Sequence, residues 1–156
     1  KKISYGYESF SEGNDRNLIF LNNKNFSFIP LICYEIIYSG KVNLNSDETN
    51  FIINISEDGW FGNSIGPYQH FSHSIFRAIE EGKNIIRSAN NGISAYIDSN
   101  GIIISKLEST KKGVIEINNY KKINETLFSK FGNKIFFYII LIYFSLIFFV
   151  KRWENK

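Results

Sequence analysis

Cysteine occurs once in the 156 residues, as Cys33, and methionine not at all. A lone thiol excludes a disulfide scaffold and every metal or iron–sulfur site built on several cysteines. Two prolines and 11 glycines are too few for a collagen-like or low-complexity linker. Charged residues make up 21% against 44% hydrophobic, which excludes disorder for the bulk of the chain. The formal net charge of +3, carried by scattered lysines, is too small for a nucleic-acid footprint. With no methionine and with Lys1 and Lys2 in front, the chain is expected to be a piece of a longer protein.

What is abundant is aromatic and aliphatic. The chain has 15 Phe and 9 Tyr, and its length suits one ordinary domain. The wealth of Ile, Asn, Lys and Phe matches an A+T-rich coding sequence. No Lys or Asn is therefore singled out on identity alone.

Residues 135–150 read IFFYIILIYFSLIFFV, without a charge and with one aliphatic hydroxyl, Ser145. As a helix, roughly 16 residues span about 24 Å, a little short of a bilayer core of about 30 Å. Lys134 before the run, and Lys151, Arg152 and Trp153 after it, extend the span by snorkelling. A buried core helix is the alternative, but such a helix in a small domain keeps a polar face and this run has none. The expected division is a domain over 1–130, a transmembrane helix over 134–151 and a short tail over 152–156. The slight basic excess after the helix favours a cytoplasmic tail, leaving the domain outside the cytoplasmic membrane.

The rest reads as an α/β layer. Apolar runs at 17–21 and 26–33 flank the turn-forming residues 22–25 and predict a hairpin. Pro30 suggests an edge position or a bulge. A helical turn follows Cys33 and ends near Gly40. Residues 51–55 (FIINI) predict a strand covered on both faces. Residues 56–68 hold three glycines and a proline, and predict a long loop. A helix over 70–83 stops at Gly82. Strands follow at 84–89, 93–98, 102–107 and 113–117, the middle two forming a hairpin around 99–101.

Few residues invite chemistry. Cys33 ends a strand and precedes a helical turn, where backbone N–H groups favour a thiolate and can receive an oxyanion; a small core residue is the competing reading. Glu35 either complements the first helical turn or serves as base or orienter. Trp60 and Phe61, between two glycines, either plug the core or line a site for an apolar substrate. His70 and His73 have the i, i+3 spacing of metal ligands but lack a third partner. Arg77 and Glu80 read as a surface ion pair. Arg87, in an apolar strand, requires a carboxylate if it is buried.

Taken in order, LICYEIIYSG (31–40), NISEDGWFGNSIGPYQH (54–70), FRAIEEGKNIIRSANNGISAYID (76–98) and the terminal apolar helix resemble the apolipoprotein N-acyltransferase family. That family is a membrane-embedded branch of the nitrilase, or carbon–nitrogen hydrolase, superfamily. The resemblance implies the C-terminal part of a nitrilase-like α-β-β-α sandwich followed by one transmembrane helix, in a bacterial inner membrane with the domain facing the periplasm. It implies an acyltransferase needing no cofactor or metal. A fatty acyl group passes from a phospholipid to a Cys thioester, and then to the N-terminal amine of a diacylglyceryl-cysteine lipoprotein.

Cys33 matches the family's nucleophile. Tyr34 and Glu35 match the next two positions, the former offering an oxyanion N–H and the latter orienting the thiol. Trp60 and Phe61 match a loop near the acyl-binding mouth, while Arg87 and Asn90 match structural positions. The superfamily also uses a Glu base and a Lys oxyanion stabiliser before the Cys strand. Neither Glu8 nor Glu12, Lys1 nor Lys2 sits in the expected flanking string, so this chain alone is expected to be inactive and poorly folded. The alternatives are a nitrilase-like amidase and a non-catalytic membrane-anchored interaction domain.

Overall fold

The computed structural model describes residues 17–21, 26–40, 42, 48–120 and 125–154. Six strands form one mixed sheet in sequential order: β1 (Ile19–Leu21), β2 (Phe26–Ile32), β3 (Phe51–Glu57), β4 (Asn84–Asn90), β5 (Ser94–Ile97) and β6 (Ile103–Leu107). β1 pairs antiparallel with β2, as the hairpin reading requires. β2, β3 and β4 run parallel, and β5 and β6 return antiparallel. The connecting turn at 22–25 and the polar stretch 43–47 lie outside the described residues. Pro30 falls beyond Phe28, where the pairing with β1 ends, so its missing N–H costs that ladder nothing.

The parallel strands demand a crossover, and α1 (Gly66–Glu81) supplies it between β3 and β4. The helix starts four residues before the predicted 70, because Pro67 suits a first helical turn, where its absent N–H has no partner to lose. It ends on Gly82 with φ 62°, the left-handed cap the sequence predicted.

Register and pleat sort the side chains. Ile29, Ile52, Ile85 and Ile97 share one row, and Leu31, Asn54, Arg87 and Ala95 the next. All eight are buried, and Phe71 and Ala78 of α1 join the same core. The opposite face is only partly covered. Phe51 is buried there, with the Tyr120 ring edge-on against it at 4.6 Å. Ile32 and Ile55, at the end of the sheet that carries Cys33, stand 59% and 54% exposed. The expectation that β3 is covered on both faces thus holds on one face only, among the described residues.

A second expectation fails outright. Residues 113–117 form no strand, and Val114 is 85% exposed. β-branched composition alone does not make a strand where no ladder partner stands beside it.

A short helix, α2 (Leu127–Phe131), is capped by Thr126, whose hydroxyl accepts the Ser129 N–H at 2.9 Å. The chain then turns at Gly132 (φ 53°) into α3 (Lys134–Glu154). Its 21 residues give about 31 Å of helix. The stretch Lys134–Trp153 has a mean hydropathy of 2.1, none of it is buried, and it is long and apolar enough to cross a membrane. The Ser145 hydroxyl donates to the Leu141 carbonyl at 2.8 Å, so the one aliphatic hydroxyl in the 135–150 run is satisfied inside the helix.

α1, α2 and the segment after Cys33 meet at one junction. Arg77 donates to the Ile37 carbonyl at 3.0 Å and to Glu80 at 2.7 Å, while the Ser39 hydroxyl donates to Glu80 at 3.0 Å. The Thr126 hydroxyl donates to the Glu80 carbonyl. Arg77 and Glu80 are therefore an ion pair as the spacing predicts, but Arg77 is buried and not on the surface. The helix face it occupies is covered by the Cys33 segment, which i, i+3 spacing cannot reveal.

Candidate active site

β2 ends at Ile32, and Cys33 opens a five-residue 3-10 turn, Cys33–Ile37. Cys33 takes a positive φ of 51°. For a residue with a Cβ that conformation costs about 1–2 kcal/mol, and it persists only where surrounding bonds impose it. Those bonds are visible. The Cys33 carbonyl accepts the Asn54 side-chain amide at 3.3 Å and lies 3.3 Å from Nε2 of His70. Asn54 also donates to the Leu31 carbonyl at 3.1 Å, tying the end of β2 to β3. The half-buried Sγ sits 4.0 Å from the Glu57 carbonyl.

Beneath this elbow lies a buried polar network. Arg87 projects from β4 on the helix-facing side of the sheet. Its Nη2 donates to Asp58 Oδ2 at 2.8 Å, its Nη1 to the Ser56 hydroxyl at 3.0 Å and to Asn54, and its Nε to the Ile93 carbonyl at 3.2 Å. The other Asp58 oxygen meets His70 Nδ1 at 2.8 Å. Asp58 and Arg87 are both fully buried, so the carboxylate that a buried Arg87 requires is Asp58. Burial alone would raise the Asp58 carboxyl, but the His70 bond and the adjacent Arg87 guanidinium outweigh it and hold it below the usual carboxylate range. Burial lowers Arg87, opposed by the Asp58 charge. A Cβ at Gly92 would come within 2.0 Å of Asp58 Oδ2, so a glycine there lets the turn after β4 close over the pair.

The predicted residues distribute around this network. Tyr34 stacks on the His70 ring at 4.9 Å, and Phe61 approaches the same ring at 5.8 Å and Tyr34 at 6.0 Å. A Cβ at Gly66 would meet Phe61 at 2.3 Å, so the start of α1 is cut away to seat that ring. Glu35 accepts the Ile32 N–H at 2.7 Å, bracing the turn that Cys33 begins. Trp60, in the 3-10 turn Gly59–Phe61, is 65% exposed. The Glu57 carboxylate accepts the Gly59 N–H at 2.7 Å and the Asn90 amide, closing the rim beside Cys33. The structure thus brings Cys33, Tyr34 and Phe61 together around His70, and leaves Trp60 facing solvent.

His70 and Asp58 are the residues that sequence reasoning missed in this role. The His70–His73 spacing drew attention to metal ligation, yet His70 is engaged by Asp58, and no group of His, Cys, Asp or Glu among the described residues could hold a metal ion. The only signal for the pair was the DGWFGNSIGPYQH string itself, whose ends meet across a loop that has no periodicity.

Chemically, the arrangement offers a thiol on a braced strand-to-turn elbow, with aromatic rings to one side and a buried ion pair below. A family model described as carbon–nitrogen hydrolase matches residues 8–118. The chain is 43% identical over 149 residues to the apolipoprotein N-acyltransferase of Rickettsia bellii (strain RML369-C), covering 92% of this chain and 30% of that protein. It is 41% identical over 127 residues to the apolipoprotein N-acyltransferase of Wigglesworthia glossinidia brevipalpis, covering 81% of this chain and 26% of that protein. The chain therefore spans less than a third of the length of these curated relatives.

Among solved structures, Nit3 of Saccharomyces cerevisiae, a member of branch 10 of the nitrilase superfamily, superposes with a TM-score of 0.56 at 19% identity, over 68% of this chain and 41% of that one. XC1258 of Xanthomonas campestris, a CN-hydrolase superfamily protein, gives a TM-score of 0.55 at 16% identity, over 66% and 43%. These likenesses establish the fold. The chain belongs to the carbon–nitrogen hydrolase family.

Proposed function

We propose that this protein is the acyltransferase its curated relatives are named for, with Cys33 as the nucleophile. The Cys33 sulfur attacks the ester carbonyl of a phospholipid. A C–S bond forms, the ester C–O bond breaks, and the lysophospholipid oxygen leaves with a proton. The N-terminal amine of a diacylglyceryl-cysteine lipoprotein then attacks the thioester. A C–N bond forms, the C–S bond breaks, the amine gives up a proton and the thiol returns. A thioester suits this relay, being activated toward amines while surviving in a water-poor, lipid-filled site.

The supporting observation is one conjunction: a thiol on a braced elbow shares a chain with an unburied apolar helix of bilayer length. A soluble amidase has no use for that helix. In this reading the Tyr34 N–H is an oxyanion donor, Glu35 orients the elbow through the Ile32 amide, and Phe61 and Trp60 line the acyl path. The helix spans the inner membrane, and the domain faces the periplasm. The Glu base and Lys of the superfamily have no counterpart with the matching flanking string, so the 156-residue chain expressed alone is expected to be inactive.

The test uses membranes from the source cells and a phospholipid labelled in its acyl chain. Hydroxylamine-labile label on the band detected by an antibody to this chain, lost in Cys33→Ser, is the expected result. Absence of such label with the protein present would overturn the reading.

A further inference from the structure

The elbow residue has to be held in a conformation it would not choose, and two side chains hold it. Asn54 reaches the Cys33 carbonyl from β3, and His70 reaches it from the first turns of α1. Both lead to the same anchor, because Arg87 bonds Asn54 with one nitrogen and Asp58 with another, and Asp58 bonds His70. We propose that His70, oriented by Asp58, is a positioning residue for the nucleophile: its Nε2–H holds the Cys33 carbonyl and so maintains the left-handed elbow that presents Sγ. This rests on the assignment of Cys33 as the nucleophile.

The geometry leaves the ring little freedom. His70 is 2% exposed. Tyr34 and Phe61 pack against it, and its Nδ1 lies 2.8 Å from Asp58 Oδ1 and 3.2 Å from Arg87 Nη2. A carbonyl oxygen and a carboxylate oxygen both only accept, so the two contacts together place an N–H on each ring nitrogen, Nε2–H toward Cys33 and Nδ1–H toward Asp58. A ring fixed at both edges and packed between neighbouring rings cannot follow the Cys33 carbonyl if the elbow relaxes, so it opposes that relaxation. Relaxation of φ at Cys33 would swing the Cα–Cβ bond and carry Sγ away from the Glu57 side. A misplacement of about 1 Å at a reacting atom costs up to roughly a hundredfold in rate. The arrangement also ties recognition to positioning, since Tyr34, the residue after the nucleophile, is itself stacked on the ring that holds it.

The test separates the two edges of the ring. In the intact full-length enzyme, His70→Gln keeps an amide donor near the Nε2 position, His70→Asn keeps one near the Nδ1 position, and His70→Phe keeps the ring and neither donor. The primary readout is the rate at which iodoacetamide alkylates Cys33, followed on the Cys33 peptide by mass spectrometry. Thermal midpoints and the kcat and KM for phospholipid-dependent acylation are measured alongside. The expected order has His70→Gln within about threefold of wild type and His70→Asn and His70→Phe slowed by about tenfold or more. Acylation is expected to lose kcat with KM unchanged, and the order is not expected to follow the midpoints.

Equal rates for Gln and Asn, a wild-type rate in His70→Phe, or rates that track thermal midpoints would overturn the proposal. If His70→Asn or His70→Phe does not accumulate, the other still serves as the contrast to His70→Gln. If His70→Gln does not accumulate, a wild-type alkylation rate in either remaining variant overturns the proposal and a tenfold loss in both supports it. Alkylation needs no lipid, so a wild-type enzyme that forms no thioester would sink the acyltransfer reading while the order of alkylation still tests the role of His70.

Discussion

Replacing Arg87 with Met tests the buried network most directly, because Met has similar bulk and none of the five donors. Four acceptors lose their partner: Asp58, Asn54, Ser56 and the Ile93 carbonyl. Asn54 keeps the Ser56 hydroxyl at 3.0 Å and Asp58 keeps His70, but the Asp58 carboxylate then lies at zero exposure without its cation. Removing one partner of a buried ion pair costs about 3–5 kcal/mol. At about 2–4 °C per kcal/mol for a domain of this size, the thermal midpoint should fall by roughly 6–20 °C.

The assay is intrinsic tryptophan fluorescence of the detergent-solubilised full-length enzyme during heating. A double variant, Arg87→Met with Asp58→Asn, should recover part of the loss, because the orphaned charge is gone, with a coupling of about 0.5–3 kcal/mol. The pH dependence carries a sign. Asp58 is held below its ordinary value in the folded state, so its stabilisation is present above the unfolded pKa and is lost as pH falls through the folded one. The Arg87→Met deficit should therefore shrink on acidification. A midpoint within about 2 °C of wild type at pH 7, which is under roughly 1 kcal/mol, would refute the claim that this ion pair organises the core beneath the elbow.

Three further outcomes follow from other parts of the fold. Glu81 is buried at the junction with α2, and burial, reinforced by Glu80 and opposed by Ser129, Arg77 and Lys83, raises it to about 7. The folded state thus binds this proton more tightly than the unfolded chain. Its stability contribution is full below the unfolded value near 4.5, and about 3 kcal/mol is lost as pH rises through 7. Glu81→Gln should match wild type at pH 4 and exceed its thermal midpoint at pH 8; equal midpoints at both pH values would contradict this. Gly92→Ala, with a Cβ 2.0 Å from Asp58 Oδ2, should destabilise by about 1–3 kcal/mol, seen as a lower midpoint together with slower Cys33 alkylation. Gly66→Ala pushes on the Phe61 ring, which is only half-buried; it should leave the midpoint within about 3 °C and, under the proposed acyltransfer, change KM for phospholipid, and an unaltered KM would remove Phe61 from the proposed acyl path.

Much of the fold was legible because it is local. Short apolar runs between turn formers announced β2 to β6, and Gly82 announced the end of α1. Where local pattern was the whole argument, it failed: the β-branched stretch 113–117 has the composition of a strand and pairs with no strand among the described residues. The start of α1 was misplaced because glycines and a proline read as loop, although Pro67 belongs to a helix's first turn. Arg77 and Glu80 carried the spacing of a surface pair, and burial under the Cys33 segment was added by packing.

The sequence by itself determined the apolar helix, the strand that delivers Cys33 and the strings that place the chain in its family, since each depends on neighbours a few residues apart. It also required that a buried Arg87 have a carboxylate. Only the tertiary structure decided which one. Asp58 lies 29 residues from Arg87 along the chain, and His70 lies 12 from Asp58, and no periodicity links the three. A charge is tolerated inside a protein only where its partners converge in space. The left-handed elbow at Cys33, held from β3 and α1 together, comes from that convergence.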